Sequence, residues 1–201
     1  MPYRIACLVM YVLIPLAVHA DPMPRDAVRY QRDLTRNAQL VWGLNAPVAT
    51  FAAQIHQESR WRADAKNSIG ASGLAQFMPG TSAWIAGAFP ALGNNQPTNP
   101  AWAMRALVTY DQYLWDQLLA ADDCSRMAMV LSAYNGGLRW TYRDQKKAGN
   151  KGLQPFIWFG QVETVNAGRS AAAFAENRAY PKMILNKWQP IYLSWGGQIR
   201  C

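Results

Sequence analysis

Apolar residues in this chain recur at every third or fourth position and nowhere alternate strongly with polar ones, so the chain is patterned to pack helices rather than pair strands. From Arg25 to Trp42, the residues Ala27, Tyr30, Leu34, Ala38 and Val41 share one face, and Gly43 marks the end. Asn45 and Pro47 announce a second helix running to about Ser59, since asparagine caps and proline fits a first turn. Asn99-Pro100 repeats that signal for a long helix through Leu107 and Leu114 to Leu118, and Ser125 opens another that stops at Gly136-Gly137. Gly and Pro punctuate 87–100 and 148–155, which read as surface loops within one domain. At 201 residues, 51% of them hydrophobic, the chain is neither disordered, fibrous nor a multi-span membrane protein. The expected fold class is mainly α.

One apolar run stands apart. Arg4 precedes Ile5–Val18, and Val18-His19-Ala20 supplies the small or tolerated residues of a signal-peptidase site, which predicts an export signal over 1–20 and a mature domain over 21–201. The alternative is an uncleaved anchor, but Pro15 interrupts the run and it falls short of the roughly 20 apolar residues that span comfortably. Cleavage would remove Cys7 and leave Cys124 and Cys201, an even pair in an oxidising compartment, where a disulfide between them closes a long loop. It would take away a single charge, so the excess of 20 Lys and Arg over 12 Asp and Glu belongs to the working domain. That balance favours an anionic partner: nucleic acid, a membrane surface or the carboxylate-bearing bacterial wall. Export and the lack of any nucleic-acid motif argue against the first.

The second helix holds a chemical clue. Its apolar stripe runs Val48, Phe51, Ala52, Ile55, and the next position on the stripe is Glu58. A carboxylate on an apolar face at the C-terminal end of a helix is desolvated and feels the negative end of the dipole, and both raise its pKa. Such a group is a general acid at neutral pH. The plain alternative is a solvated glutamate paired with Arg60 or Arg62.

Further motifs decide between them. Glu58-Ser59 is followed by Asn67-Ser68-Ile69-Gly70-Ala71-Ser72-Gly73-Leu74-Ala75-Gln76-Phe77-Met78-Pro79, then by Ala133-Tyr134-Asn135-Gly136-Gly137 and Glu176-Asn177-Arg178-Ala179-Tyr180. In order and spacing, from about residue 45 to 187, these resemble the lytic transglycosylase family of the soluble (SLT) type, which has a lysozyme-like fold. The resemblance implies a single catalytic domain with Glu58 as acid and then base. It assigns Ser68 to a hydrogen bond in the cleft, Tyr180 to orienting the acid or the substrate, Gln76 and Asn135 to N-acetyl sugars, and Tyr134 to the cleft wall. Ala75 stands where the family usually carries Met, which bears on subsite packing. Pro181 follows Tyr180 in place of a helix-compatible residue, which bears on the tyrosine's angle.

The implied reaction cleaves the β-1,4 bond between N-acetylmuramic acid and N-acetylglucosamine and leaves a 1,6-anhydromuramyl end, with peptidoglycan strands as partner and no cofactor. Ordinary glycosidases use two carboxylates. A hydrolytic muramidase would need Asp64, Asp111 or Asp116 in the cleft, and a noncatalytic wall-binding module would keep the groove without the acid. An exported, periplasmic or wall-associated enzyme of this kind serves wall turnover, a secretion or conjugation apparatus, or phage lysis. Phe77, Trp84, Trp102, Tyr110 and Trp115 fall on or beside helical stripes and read as core. Trp140, Tyr142, Trp158 and Trp195 lie in Gly-punctuated regions and are candidates for stacking on sugar faces. His56 has no second His, Cys or paired carboxylate at ligand spacing, so no metal is expected. Lys146, Lys147 and Lys151 form a solvated face that could meet peptide carboxylates.

Overall fold

The computed structural model describes residues 22–201; the expected export signal, with Cys7 and His19, lies outside the described residues. At the centre is α2 (Val48–Ser59), which buries every residue from Val48 to His56 rather than one stripe. α1 (Arg25–Trp42) packs on it from one side. The C-terminal segment, a π turn at Met183–Trp188 running into 3-10 turns at Gln189–Trp195, packs on it as well. A helix enclosed in this way must pair its polar side chains internally. Thr50 Oγ1 donates to Gln189 Oε1, Gln54 Nε2 donates to Asp111 Oδ1 at 3.4 Å, and His56 Nδ1 lies 2.8 Å from the Tyr192 hydroxyl.

Asn45 does not cap α2. Pro47 occupies the position before its first turn, and the Ala49 N–H donates to Gly197 O of the C-terminal segment at 2.9 Å. α3 (Pro79–Ala88) is short and buries only Ser82 and Ile85. α4 (Pro100–Gln117) starts as expected, with Asn99 Oδ1 accepting from the Ala101 and Trp102 N–H groups at 2.9 and 3.3 Å. α5 (Asp123–Gly136) opens two residues before Ser125, because Asp122 takes the cap and accepts from Ser125 N at 2.7 Å. α6 (Leu138–Asn150) is a helix that no apolar stripe announces, and it runs into the expected 148–155 loop as far as Asn150. α7 (Ala171–Lys182) carries the Glu176–Tyr180 motif.

The described residues contain no extended strand, only two isolated bridges, Lys66 with Ser72 and Ser72 with Phe77, which pin the loop between α2 and α3. Asp144 of α6 is fully buried between Arg169 and Arg178; Arg178 Nη2 donates to Asp144 Oδ2 at 2.7 Å, and its Nε to Glu163 O at 2.8 Å. This cluster clips α6, the 163–169 segment and α7 together. A disulfide joins Cys124, in the first turn of α5, to Cys201. No helix among the described residues is long and apolar enough to cross a membrane.

Candidate active site

Glu58 is the penultimate residue of α2, and the backbone turns sharply after it. Arg60 and Trp61 both take left-handed φ values, 51° and 65°, at a cost of about 1–2 kcal/mol each for residues with a Cβ. Burial of the Trp61 ring offsets that cost: it is fully enclosed, stacks on Tyr30 and donates Nε1–H to the Tyr192 hydroxyl at 2.7 Å. The turn leaves Glu58 facing a cavity of about 470 Å³ whose walls include Gln76, Phe77, Tyr134, Asn135 and Tyr180.

The Tyr180 hydroxyl donates a hydrogen bond to Glu58 Oε1. Desolvation pushes the carboxyl up from 4.5 to about 8; the bond from Tyr180 opposes that rise, and the nearby Glu176 carboxylate adds to it. Pro181 does not prevent the contact, since α7 continues to Lys182 and then widens into the π turn. The Tyr134 ring lies parallel to that of Tyr180, with centroids 6.5 Å apart. Its hydroxyl donates to Ala75 O at 2.7 Å, so the residue that replaces the usual methionine serves through its backbone while its methyl is buried.

Asn135 lines the cavity and accepts from Asn177 Nδ2 at 3.0 Å; Asn177 is itself held by Ser132. Gly136 makes this possible, because a Cβ there would come within 2.7 Å of Asn177 Nδ2. Gln76 lines the cavity as expected, but its amide nitrogen donates to Ala65 O and Gly73 O at 3.1 and 2.9 Å, leaving Oε1 for a ligand. Gly73 is equally constrained: its φ is +76° and a Cβ would lie 1.9 Å from Pro97 O.

Ser68 does not stand in the cleft where the resemblance places it. It is exposed at the corner of the turn closed by Gly70 N–H to Asn67 O, does not line the cavity and makes no hydrogen bond with Glu58. Asn67 takes the inward position, its Oδ1 accepting from the Ile69 and Ala71 N–H groups. Among the second carboxylates considered from sequence, Asp64 and Asp116 are exposed and line neither cavity beside Glu58. Asp111 is fully buried, bonded to Gln54, with its pKa raised by that burial. Glu176, which the motif contained but to which no role was given, does line the cavity.

The aromatic residues redistribute. Trp158 is fully buried beneath Arg178, and Trp195 packs on Trp61 and Tyr192, so neither offers a face to sugar. Trp140 carries the guanidinium groups of Arg143 and Arg169 on its ring, and the Tyr142 hydroxyl bonds to Gln117 O. Conversely Trp84, expected in the core, is 46% exposed because α3 buries so little, while Phe77 and Tyr110 line the cavity. Lys147 donates to Asn166 O at 2.8 Å. No group of three or more His, Cys, Asp or Glu among the described residues is arranged to hold a metal.

Comparison with known proteins gives concordant results. Two curated relatives, each named soluble lytic murein transglycosylase, from Escherichia coli strain K12 and from O157:H7, are 29% identical over 146 residues, 71% of this chain. The chain spans about a fifth of their length, 20%. The crystal structure of the 70 kDa soluble lytic transglycosylase from Escherichia coli superposes with a TM-score of 0.60 at 24% identity, over 84% of this chain and 25% of that one. A complex of the 70 kDa soluble lytic transglycosylase with bulgecin A gives 0.61 at 24% identity, over 88% and 26%. An inactive glutamate-to-glutamine variant of the lytic transglycosylase Slt from Pseudomonas aeruginosa gives 0.61 at 21% identity, over 87% and 26%. These likenesses establish the mainly helical, lysozyme-like architecture. Residues 37–157, which include Glu58, Gln76, Tyr134 and Asn135, match the transglycosylase SLT domain, and the chain belongs to that family.

Proposed function

We propose that this protein is an exported peptidoglycan lytic transglycosylase. The observation that carries the reading is a single desolvated glutamate, Glu58, facing a cavity under the hydroxyl of Tyr180. Held protonated to about pH 8, Glu58 donates its proton to the glycosidic oxygen between N-acetylmuramic acid and N-acetylglucosamine as that bond breaks. Tyr180 occupies Oε1, so the proton to be given sits on Oε2. The carboxylate formed is stabilised by the same tyrosine. It then takes the proton of the muramyl 6-hydroxyl as that oxygen bonds to the anomeric carbon, closing the 1,6-anhydro ring and restoring the acid. No water and no metal enter the balance. The names of the similar proteins, murein transglycosylases with one inactive as a glutamate-to-glutamine variant, support the assignment.

A second reading has one observation in its favour: Glu176 is a further carboxylate on the cavity wall, and a hydrolytic muramidase would use it to activate water. Digestion of murein followed by mass analysis separates the two. The transglycosylase leaves muramyl ends lighter by one water, Glu58→Gln yields none, and Asp64→Asn cleaves normally. Only reducing muramyl ends, lost on Glu176→Gln, would establish the hydrolase. The export signal over 1–20 supports a periplasmic or wall-associated site of action, with wall turnover, a secretion or conjugation apparatus, or phage lysis as the setting.

A further inference from the structure

A second cavity meets the one under Tyr180 at Glu58. This second cavity, of about 610 Å³, shares Gln57, Glu58, Asn67 and Gln76 with the first and extends in the opposite chemical direction. The first is walled by Phe77, Tyr110, Tyr134, Tyr180 and the carboxylate of Glu176. The second is lined by Arg60, Arg62 and Lys66 and by no carboxylate other than Glu58. All three cations are exposed, and none takes part in an ion pair among the described residues. Asp64, in the same loop, is exposed and off the lining, so the lobe stays cationic even when it is counted.

The backbone holds the charges there. Arg60 and Trp61 are in left-handed conformations that the buried Trp61 ring and its bond to Tyr192 maintain, and Arg62 N donates back to Ser59 O at 3.1 Å. The two arginines therefore flank a fixed pivot. Lys66 is placed by its bridge to Ser72. Uncompensated cations kept close together at the mouth of a cleft repel one another, and an anionic ligand relieves that cost.

Resting on the murein reading of the site, we propose that the Arg60–Arg62–Lys66 lobe is a subsite for the carboxylates of the murein stem peptide. It makes the enzyme prefer peptide-bearing strands to bare glycan and fixes which side of Glu58 the peptide occupies. The opposite lobe, with Glu176, repels the same carboxylates. The charge asymmetry thus selects one register for the strand.

The test compares murein glycan strands carrying their peptides with the same strands stripped by an amidase. For the wild type the KM ratio of stripped to peptide-bearing strands should be about tenfold and shrink with added salt. In the triple variant Arg60→Gln/Arg62→Gln/Lys66→Gln it should fall toward one, through a rise in KM on peptide-bearing strands with kcat little affected. Arg60→Lys/Arg62→Lys, which keeps the charge, should retain the preference and shows that the loop still folds. A wild type that treats both substrates alike, or a triple variant that keeps the full preference, overturns the proposal while leaving the transglycosylase reading intact. Retention of the full chain on the two kinds of strand, each immobilised on beads, needs no turnover. It reports on the subsite even if neither substrate is cut: preferential retention lost in the triple variant supports it, and equal retention overturns it.

Discussion

Glu58 is governed by two opposed influences, burial and the Tyr180 hydroxyl, and each can be removed on its own. Its folded-state pKa is raised, so the stability that its protonated form contributes is fully present below about 4.5 and is lost as pH climbs through about 8. Glu58→Gln does not suffer that loss, and it should become more stable than the wild type across the window by up to a few kcal/mol. Urea midpoints at pH 5 and pH 9 check this; a constant gap between the two proteins would contradict it. Tyr180→Phe removes the group that lowers the pKa and orients the acid. Turnover should fall by about ten- to a thousandfold, and the alkaline decline of kcat/KM should move to higher pH. Ser68→Ala, by contrast, should cleave murein within about twofold of the wild type, since its hydroxyl faces solvent. The motif placed the inward residue of that turn one position late, on Ser68 rather than Asn67, for a physical reason. A four-residue turn has no periodicity, and which of its side chains faces inward is set by the hydrogen bonds of Asn67 rather than by any pattern of polarity.

Elements were legible in proportion to how apolar their buried faces are. α1 has the expected limits because its buried face is largely apolar, and α4 because Asn99 and Pro100 announce it. α6 was missed because what it buries is Thr141, Asp144, Gln145 and Ala148, a face that no hydrophobic count detects. In sequence α2 shows one apolar stripe, since its other side is covered by a segment more than 120 residues later in the chain, whose polar partners for Thr50 and His56 leave no local trace. The buried polar face of α6 carries its own prediction. Asp144→Asn leaves Arg169 and Arg178 in the interior without their counter-charge, which should cost about 3–5 kcal/mol and show as a lowered melting temperature. Arg178 sits two residues from Tyr180 on α7, so the surviving folded protein should also cleave more slowly.

At the scale of the whole molecule, the disulfide between Cys124 and Cys201 fastens the segment that encloses α2. Its separation of 77 residues corresponds to about 4.5 kcal/mol of lost chain entropy in the unfolded state as an upper estimate. Cys201→Ser should lower the urea midpoint while keeping the helical circular dichroism signal, and reducing agent should have no further effect on that variant. The bond between Tyr180 and Glu58 has a different kind of reach, since its partners are 122 residues apart. Contacts so distant close late, after the chain has met the entropy of the intervening loop, whereas the helix bearing the acid can form early from local contacts. Acquisition of the acid and acquisition of its control are therefore separate events in the life of the chain. A chain still being synthesised holds the glutamate before it holds the tyrosine, and the acid comes under its control only when α7 has docked.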